Sequence, residues 1–419
     1  MIILKITINF QKESGYGYRI YKIYITEGDY IMEQRKPQNS GKKSFFDGAF
    51  GKYLVPGILL QSVLIGGGYA TGREVISYGA MYGAKGWLAG LATLIGFAIM
   101  SMLTFEFARV TGSYNYKSLM KNLLGKFGVL YDLIYIPLSV IILAVMASAT
   151  GEIVNQTMGL NYWVGVIVVI VIVGILNFYG SSLIERFETW GTVALYAAYI
   201  IFGILAVRAA GTHIGEVFAS GDTSFATGTG TGTASTGSVI WLGIVYVAYN
   251  LIVYPSSFEA LKRQDSRKQS LISGLIAGVL MTVPWFITYF AFMGYYPDPD
   301  VLGATVPWLV ILKQVGGTWT IILFGIVMGW TLIETSTGII HAFVARVNAG
   351  LVDFGKNPLS PKQNAIMTVV VLVLAILLSK VGIIDLISKG YNAMSYALMI
   401  VYMLPMLTIG LYTIVKGKK

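Results

Sequence analysis

Long apolar runs recur along almost the whole chain after residue 50, and they limit the possible folds more than any other feature. Each run reaches about 20 residues, the length of helix that crosses the roughly 30 Å hydrocarbon core of a bilayer. Hydrophobic side chains make up 55% of the 419 residues and charged ones only 12%, so the surface suits lipid better than water. The sequence predicts an all-α polytopic membrane protein with ten transmembrane helices.

The predicted helices form two groups of five, one on each side of a connection rich in Gly, Thr and Ser. Their boundaries follow the apolar runs and the charged or glycine-rich stretches between them. The first group comprises residues 54–81, 86–110, 129–157, 162–180 and 189–210, and the second comprises 237–261, 270–294, 318–347, 365–380 and 381–415.

The first 30 residues alternate apolar and polar side chains and lack the central apolar run of a signal peptide. We expect them to form a poorly ordered or peripheral tail. The predicted segments are an N-terminal cytoplasmic tail at 1–50, a membrane domain at 51–415 with repeats at about 54–210 and 237–415 around an outer loop at 211–236, and a cytoplasmic tail at 416–419.

Lys and Arg outnumber Asp and Glu by 30 to 20, which gives a formal net charge of +10. In a membrane protein such an excess usually reflects basic cytoplasmic loops rather than a nucleic-acid surface. The basic connections at 117–126 and 262–268 fit this rule, because both fall on the side where the chain starts. We expect both termini in the cytoplasm, an inner or plasma membrane location, the lipid bilayer as a partner and no nucleic acid.

Five predicted helices in each half place the two halves in opposite orientations across the membrane, as inverted repeats require. Short helix-like segments at 116–125 and 306–316 precede the third and eighth helices, at equivalent positions but on opposite sides. Apart from the last helix, the third and eighth are also the longest predicted in their halves and can cross the bilayer with a strong tilt. The sequence therefore predicts a 5+5 inverted repeat.

The first predicted helix contains IGGGYATGRE at 65–74, with three consecutive glycines at membrane depth. Each costs about 1 kcal/mol relative to alanine in a helix, so an unwound stretch is expected. Backbone groups freed at that depth must line a wet cavity or be buried in protein. The alternative is tight helix packing through Gly66, Gly68 and Gly72, which lack a Cβ and so let neighbouring helices approach closely.

Asn250 and Pro255 interrupt the sixth predicted helix, the equivalent of the first in the second repeat. Paired interruptions of this kind point to a binding site near the middle of the membrane. Tyr246 and Tyr249 can wall such a site and Asn250 can hydrogen-bond a solute, although Tyr and Asn also join helices to one another. The candidate solute-binding residues are Gly66, Gly67, Gly68, Thr71, Gly72, Tyr246, Tyr249 and Asn250.

Glu334 lies near the middle of the eighth predicted helix, where a carboxylate costs about 2.5 to 3.5 kcal/mol on insertion scales. It can carry a proton, bind an ion or pair with a solute amine, and the alternative is a buried structural hydrogen bond. Arg73 and Glu74 follow the glycine-rich break on its outer side, where charged residues can close a cavity by pairing across it. Asp385 is the expected partner of Arg73.

At GGGYATGREV, VYVAYNLIVYP and ETSTG the chain resembles the YkvI-like amino acid permeases, a branch of the amino acid, polyamine and organocation superfamily. The resemblance covers residues 54–415, with Tyr69 and Arg73 where Phe and Gln are expected. It implies the LeuT-type fold, with a small-molecule substrate held between the broken first and sixth helices. An amino acid is the first candidate.

Sodium-dependent members of this group hold the ion between first-helix carbonyls and two eighth-helix hydroxyls. The resemblance maps these ligands onto the carbonyls of Ser62 and Ile65 and the hydroxyls of Thr335 and Ser336. Sodium-independent members can replace the ion with a lysine of the fifth helix, which contains none here. The resemblance therefore favours Na⁺ as coupling ion, with a proton on Glu334 as the rival and no other cofactor.

The chain contains no cysteine and only two histidines, and no phosphate-binding loop, metal-ligand cluster or nucleophile with a histidine base is found in it. We therefore do not expect an enzyme. The resemblance implies secondary active transport of a small organic solute by alternating access. Two alternatives stay open: a ligand sensor on the same fold that does not transport, and a facilitator without ion coupling.

Overall fold

The computed structural model describes residues 4–10, 19–26, 29–34, 48–179, 182–228, 235–353 and 355–417. The chain divides into two units, Met1–Gly48 and Ala49–Lys419.

The first unit contains an antiparallel sheet, which the sequence analysis did not predict for this segment. Its register pairs Ile6 with Ile23 and Ile23 with Met32. The alternation of apolar and polar residues that marked the segment is typical of strands. The three strands, in spatial order, are β1 at Leu4–Phe10, β2 at Arg19–Thr26 and β3 at Asp29–Gln34.

The second unit is helical, and its helices are consistent with the ten predicted ones. Eight described helices are long and apolar enough to cross a membrane, and the shorter apolar helices Val55–Leu64 and Tyr162–Leu176 belong to the two remaining crossings. The prediction of an all-α polytopic membrane protein is therefore confirmed for this unit.

We number these crossings as spans 1 to 10. Span 1 consists of Val55–Leu64, Gly67–Ala70 and Arg73–Tyr78, and span 6 of Thr236–Asn250, Leu251–Ser257 and Phe258–Leu261. The others are span 2 at Trp87–Thr111, span 3 at Val129–Met158, span 4 at Tyr162–Tyr179, span 5 at Ser182–Ser220, span 7 at Arg267–Met293, span 8 at Gly317–Asp353, span 9 at Pro361–Ser379 and span 10 at Ile383–Lys416.

Span 5 extends beyond its predicted end at residue 210, so the outer connection predicted at 211–236 begins later than expected. The helix has 39 residues and continues to Ser220 through a non-helical kink at Ala210. The extension forms because Val217 is buried and Ile214 and Phe218 pack beside the core, at helical spacing. The prediction that the third helix is the longest of its half is therefore wrong, since span 3 has 30 residues and span 5 has 39. Residues 229–234 of the Gly/Thr loop lie outside the described residues.

The two short helices predicted before the third and eighth spans are present, at Tyr116–Leu124 and Pro307–Val315. Asn115 caps the first by accepting a hydrogen bond from the Ser118 amide at 2.9 Å. Pro307 begins the second at a position where no amide partner is needed. Their equivalent places in the two halves are those expected of inverted repeats.

Span 10 contains three wide turns that the sequence did not predict, at Leu386–Tyr391, Met399–Met403 and Met406–Gly410. Such π-helical turns change the direction in which the following side chains point and occur frequently at functional sites. The first of them ends at Tyr391, which is buried and faces the centre of the second unit.

The outer surface of the helical unit is apolar, as a lipid environment requires. Ile167 of span 4, Val370 of span 9 and Ile400 of span 10 are each about half exposed or more, while the polar residues Thr104 and Ser139 are fully buried. This inversion of the pattern of water-soluble proteins makes the chain a multi-pass membrane protein.

Candidate functional site

Span 1 is interrupted at its glycine-rich segment, as the sequence predicted. The first helical piece ends at Leu64, and Gly66 is extended, with φ −100° and ψ −168°. Gly72 lies in the left-handed region at φ 87°, a conformation that favours glycine, before the helix resumes at Arg73. The alternative of close packing also applies here, because a side chain on Gly66 would collide with the terminal methyl of Met146.

Span 6 is interrupted at the equivalent place. Its α-helix ends at Asn250 and continues as the tighter 3-10 segment Leu251–Ser257, which contains Pro255. The Asn250 side chain donates a hydrogen bond to the Tyr246 carbonyl at 2.8 Å. The Ser256 hydroxyl donates to the Val253 carbonyl, also at 2.8 Å.

A cavity of about 360 Å³ lies between the two interruptions, a volume within the range of small-molecule sites. Spans 1, 3, 6, 8 and 10 contribute its walls. The polar or interruption-forming residues that line it are Ser62, Gly66, Glu74, Tyr135, Ser139, Tyr249, Asn250, Pro255, Ser256, Glu334, Thr335 and Tyr391.

The cavity extends from the interruptions toward only one face of the membrane unit. Its walls include Leu59 from the first piece of span 1 and Val253 from the last part of span 6, together with Tyr135 early in span 3 and Ala342 late in span 8. All four lie between the interruptions and the face at which span 1 begins. We call this half of the unit the cavity side and the opposite half the sealed side.

The cavity side also contains contacts that connect span 1 to the segments that follow span 6. The Lys52 ammonium, just before span 1, forms an ion pair with Asp265, and the Gln264 side chain donates to the Lys52 carbonyl at 3.0 Å. Further along, Gly57 lies directly against the backbone of Ala277 in span 7. The first piece of span 1 is therefore attached to the 6–7 connection at its tip.

Arg73 closes the sealed side, but by different bonds from those predicted. Its Nη1 donates to the carbonyls of Leu302 and Ala304 at 2.7 and 3.1 Å. The predicted partner Asp385 instead pairs with Lys389 at 3.0 Å, and the described residues contain no Arg73–Asp385 ion pair. The prediction of that pair is wrong for this structure, because Asp385 lies on a half-exposed helix face one turn from Lys389 while the carbonyls are within reach of the buried guanidinium.

Two further contacts complete the sealed side. The Trp308 amide donates to the Thr71 carbonyl at 3.2 Å, which joins the short helix before span 8 to the interruption of span 1. The ring of Phe292 covers Gly72 so closely that a side chain there would collide with it. Backbone bonds and ring packing therefore occlude the cavity from this face.

Glu74 does not close the outer side together with Arg73, which corrects the prediction. Only 3% of it is exposed, and it lines the cavity, where it packs on Gly68 and accepts a hydrogen bond from the Tyr249 hydroxyl. Successive helical residues point about 100° apart, so Arg73 can reach the sealed side while Glu74 faces the cavity.

Tyr249 and Asn250 line the cavity as predicted for solute-binding residues, and so does Gly66. The Tyr249 ring stacks on Tyr391 of span 10, with centroids 4.6 Å apart and planes 29° apart. Sequence reasoning missed Tyr391, because only the wide turn Leu386–Tyr391 brings it to the cavity. The polar run SKGYN within an otherwise apolar span was the available signal.

The other candidate solute-binding residues support the interruption without lining the cavity. The Gly67 amide donates to the Met146 sulfur at 2.8 Å, and the Thr71 hydroxyl donates to the Gly68 carbonyl at 3.0 Å. Tyr246 is fully buried, with its ring 6.1 Å from that of Phe97. The candidates that do not contribute to the cavity wall are Gly67, Gly68, Thr71, Gly72 and Tyr246.

The two hydroxyls expected to bind sodium face different cavities in this structure. Thr335 lines the large cavity beside Gly66, and within the part of the chain that is described its buried hydroxyl has no hydrogen-bond partner. Ser336, the next residue on the helix, lines a small separate cavity between spans 3, 4, 8 and 9. Ser62 also lines the large cavity and donates to the Leu59 carbonyl at 3.0 Å, whereas Ile65 is fully buried. The predicted set of ligands is therefore not assembled here.

Several solved structures share the arrangement of these spans, although no family model and no curated protein matches the sequence. A Na⁺-coupled sialic acid symporter in a substrate-bound, outward-open state is 12% identical with a TM-score of 0.58, covering 86% of this chain and 79% of its own. MhsT in complex with L-phenylalanine is 14% identical with a TM-score of 0.59, covering 87% and 98%. A mutant of the Eremococcus coleocola manganese transporter is 11% identical with a TM-score of 0.55, covering 91% and 86%.

At these identities the likeness establishes the fold alone, and that fold is the LeuT type predicted from the sequence. Membership of the YkvI-like permeases stays a prediction, since no family model matches.

Proposed function

We propose that the chain is a secondary active transporter that moves a small organic solute by alternating access, with an amino acid as the first candidate. The observation that carries the proposal is the asymmetric cavity: it begins at paired interruptions of spans 1 and 6, extends to one face and is sealed from the other. Alternating access requires two such states, each open to one face. The three solved transporters with this fold, among them a complex with L-phenylalanine, support the same interpretation.

We propose Na⁺ as the coupling ion. The Thr335 hydroxyl, which has no hydrogen-bond partner among the described residues, and Ser62, which lines the same cavity, offer hard oxygen ligands, the type that suits Na⁺ better than a soft metal. A proton on Glu334 is the rival, since that carboxyl also lines the cavity. The basic 262–268 connection lies on the cavity side, so the positive-inside rule supports a cytoplasmic orientation of the cavity and of both termini.

Purified protein reconstituted into proteoliposomes tests the proposal. An imposed inward Na⁺ gradient should drive accumulation of a labelled solute above its external concentration, and collapse of the gradient should release it. Binding without flux would overturn the proposal in favour of a sensor. Flux without accumulation would identify a facilitator. Accumulation that depends on a pH gradient and not on Na⁺ would show that the coupling ion is a proton and not sodium.

A further inference from the structure

A histidine in the extension of span 5 connects two segments that border the sealed side. His213 follows the kink at Ala210, and its Nε2 lies 2.6 Å from the carbonyl oxygen of Tyr296, in the connection that follows span 7. Its Nδ1 lies 3.1 Å from the carboxylate of Glu216, which is one turn further along span 5. The ring therefore joins the end of span 5 to the connection between spans 7 and 8.

Both ring nitrogens of His213 face groups that can only accept a hydrogen bond. A carbonyl oxygen has no proton to donate, and an ionised carboxylate has none either. A neutral imidazole carries one N–H and can therefore satisfy only one of the two partners, whereas an imidazolium carries two. The contacts of His213 with Tyr296 and Glu216 are thus those of the protonated ring.

The charges around the ring suit the same protonated form. The titratable groups that face it are Glu216 and Asp222, near the end of span 5, and Tyr296 on the opposite segment. The two carboxylates attract an imidazolium and do not attract a neutral ring. The His213 side chain is 44% exposed, so a proton can reach it from the aqueous phase on the sealed side.

Tyr296 extends these contacts to the end of span 1. It is buried, and its hydroxyl accepts a hydrogen bond from the Phe225 amide at 2.9 Å and donates to the Met81 carbonyl at 3.4 Å. Beside it, the Ala84 amide donates to the Asp222 carbonyl at 2.8 Å. The segment that ends span 5 thus lies against the connection that follows the sealed end of span 1.

The connection between spans 7 and 8 also holds Arg73. Beyond Tyr296 along this connection, the carbonyls of Leu302 and Ala304 accept hydrogen bonds from the Arg73 guanidinium on the sealed side. Opening that side requires these bonds to break and the connection to move relative to span 1. A bond that anchors the connection to span 5 therefore resists the opening.

We propose that His213 is a proton-binding site through which the pH on the sealed side controls the opening of that side. The protonated ring holds span 5 to Tyr296, and loss of the proton removes one of the two bonds and the charge that strengthens the other. The bonds are complete at low pH and weaken as the pH rises through the range in which histidine titrates, about pH 5 to 8. The inference rests on the proposed function, since it concerns the equilibrium between the two states of alternating access.

Labelling of a single cysteine in the full-length protein tests the proposal. The chain has no cysteine, and Thr71→Cys and Leu302→Cys each place one at a buried position on the sealed side, so that one serves if the other does not fold. At about pH 5.5, a membrane-impermeant thiol reagent applied from the sealed side should label this parent about threefold more slowly than the same protein with His213→Gln. At about pH 8 the two rates should be equal, because neither side chain is then charged. Comparison at one pH removes the pH dependence of the reagent itself.

Two further variants locate the effect. His341→Gln is the matched control, because it removes the other histidine of the sequence, which lies late in span 8 on the cavity side. It should be labelled at the parent's rate at both pH values. Glu216→Gln replaces the carboxylate by an amide, which can donate a hydrogen bond to the bare Nδ1 of a neutral ring. Its labelling should therefore change with pH only as much as that of His213→Gln.

The outcomes separate this inference from the proposed function. Equal labelling of the parent and His213→Gln at both pH values overturns the inference and leaves alternating access standing, because the sealed side then opens independently of His213. An effect of His341→Gln as large as that of His213→Gln also overturns it. If neither reporter cysteine is labelled at any pH, with or without Na⁺, alternating access itself is overturned, and the inference with it.

Discussion

The two sides of the interruption in span 1 differ in whether protein contacts or an open cavity face their polar groups. On the sealed side, the Arg73 Nη1 donates to the carbonyls of Leu302 and Ala304, and the Thr71 carbonyl accepts the Trp308 amide. The Arg73 Nε and the Trp308 indole nitrogen have no hydrogen-bond partner among the described residues. On the cavity side, the wall includes the carboxyl of Glu74 and the Thr335 hydroxyl, which has no hydrogen-bond partner in the part of the chain that the structure describes. The sealed side is thus held closed by bonds between protein groups, whereas the polar groups of the cavity wall are within reach of an incoming molecule.

Arg73 and Glu74 divide these tasks although they are neighbours in the sequence. Successive residues of a helix point about 100° apart, so the Arg73 guanidinium reaches the sealed side while the Glu74 carboxyl faces the cavity. Opening the sealed side therefore requires the hydrogen bonds of Arg73 to the Leu302 and Ala304 carbonyls to break. A ligand that binds the two states differently can shift this equilibrium, and one that does not cannot.

The largest expected effect comes from filling the cavity side. Gly66→Leu adds a side chain where even a Cβ meets Met146, so solute affinity should fall about a hundredfold or more, as measured by titration. Gly215→Leu is the matched control, since that exposed glycine of span 5 has open space around it and the variant should bind normally. Normal solute binding by Gly66→Leu would show that the solute does not bind at the interruption of span 1.

The next effect comes from opening the sealed side. The chain has no cysteine, so a single Thr71→Cys reports on the occluded segment. We expect Arg73→Ala to raise its labelling by a membrane-impermeant thiol reagent, applied from the sealed face, about tenfold, because two charged hydrogen bonds are lost. Arg73→Lys keeps the charge with fewer directed donors and should give an intermediate rate. Equal rates in all three backgrounds would show that Arg73 does not contribute to closure.

A smaller effect is expected when the two hydroxyls of span 8 are compared for their part in the Na⁺ dependence of solute binding. Thr335→Ala should abolish the stimulation of solute binding by Na⁺, whereas Ser336→Ala should reduce it less, because Ser336 faces a separate cavity in this structure. Linkage requires that the solute tighten Na⁺ binding by the same factor. Loss of stimulation in both variants would indicate that span 8 rotates to bring both hydroxyls to the ion. If both variants retain the stimulation by Na⁺, a proton carried by Glu334 becomes the favoured coupling ion.

The smallest effect is expected at the tip of span 1. Lys52→Met removes the ion pair with Asp265, which is largely exposed, and such pairs contribute about 1 kcal/mol or less. Thermal unfolding should therefore change little. Labelling of Ser139→Cys, which lines the cavity, should change by less than about threefold in the Lys52→Met background. A larger change would indicate that this tie controls access to the cavity.

The sequence predicted the parts of the fold that depend on composition and length. The apolar runs predicted the spans, and the consecutive glycines and Pro255 predicted the two interruptions. What it could not predict depends on packing. The extension of span 5 to Ser220 relies on the burial of Val217, and Tyr391 reaches the cavity only through a wide turn of span 10.

The sequence likewise predicted only some of the residues that line the site. Gly66, Tyr249 and Asn250 line the cavity as expected, because interrupted helices at membrane depth must enclose polar space. The rotation of Glu74 away from Arg73, and of Ser336 away from Thr335, depends on the phase of each helix about its axis. Hydropathy does not determine that phase; the contacts between spans do.

The attachment of the tip of span 1 has a mechanical consequence. The piece Val55–Leu64 has 10 residues and a length of about 15 Å, and it is joined to the rest of the span by the extended residue Gly66. It can act as a lever with its pivot at Gly66, and a swing of about 20° would displace its tip by about 5 Å. Because Lys52 and Gln264 connect that tip to the end of span 6, the two broken spans would transmit force to each other at the membrane surface as well as through the solute.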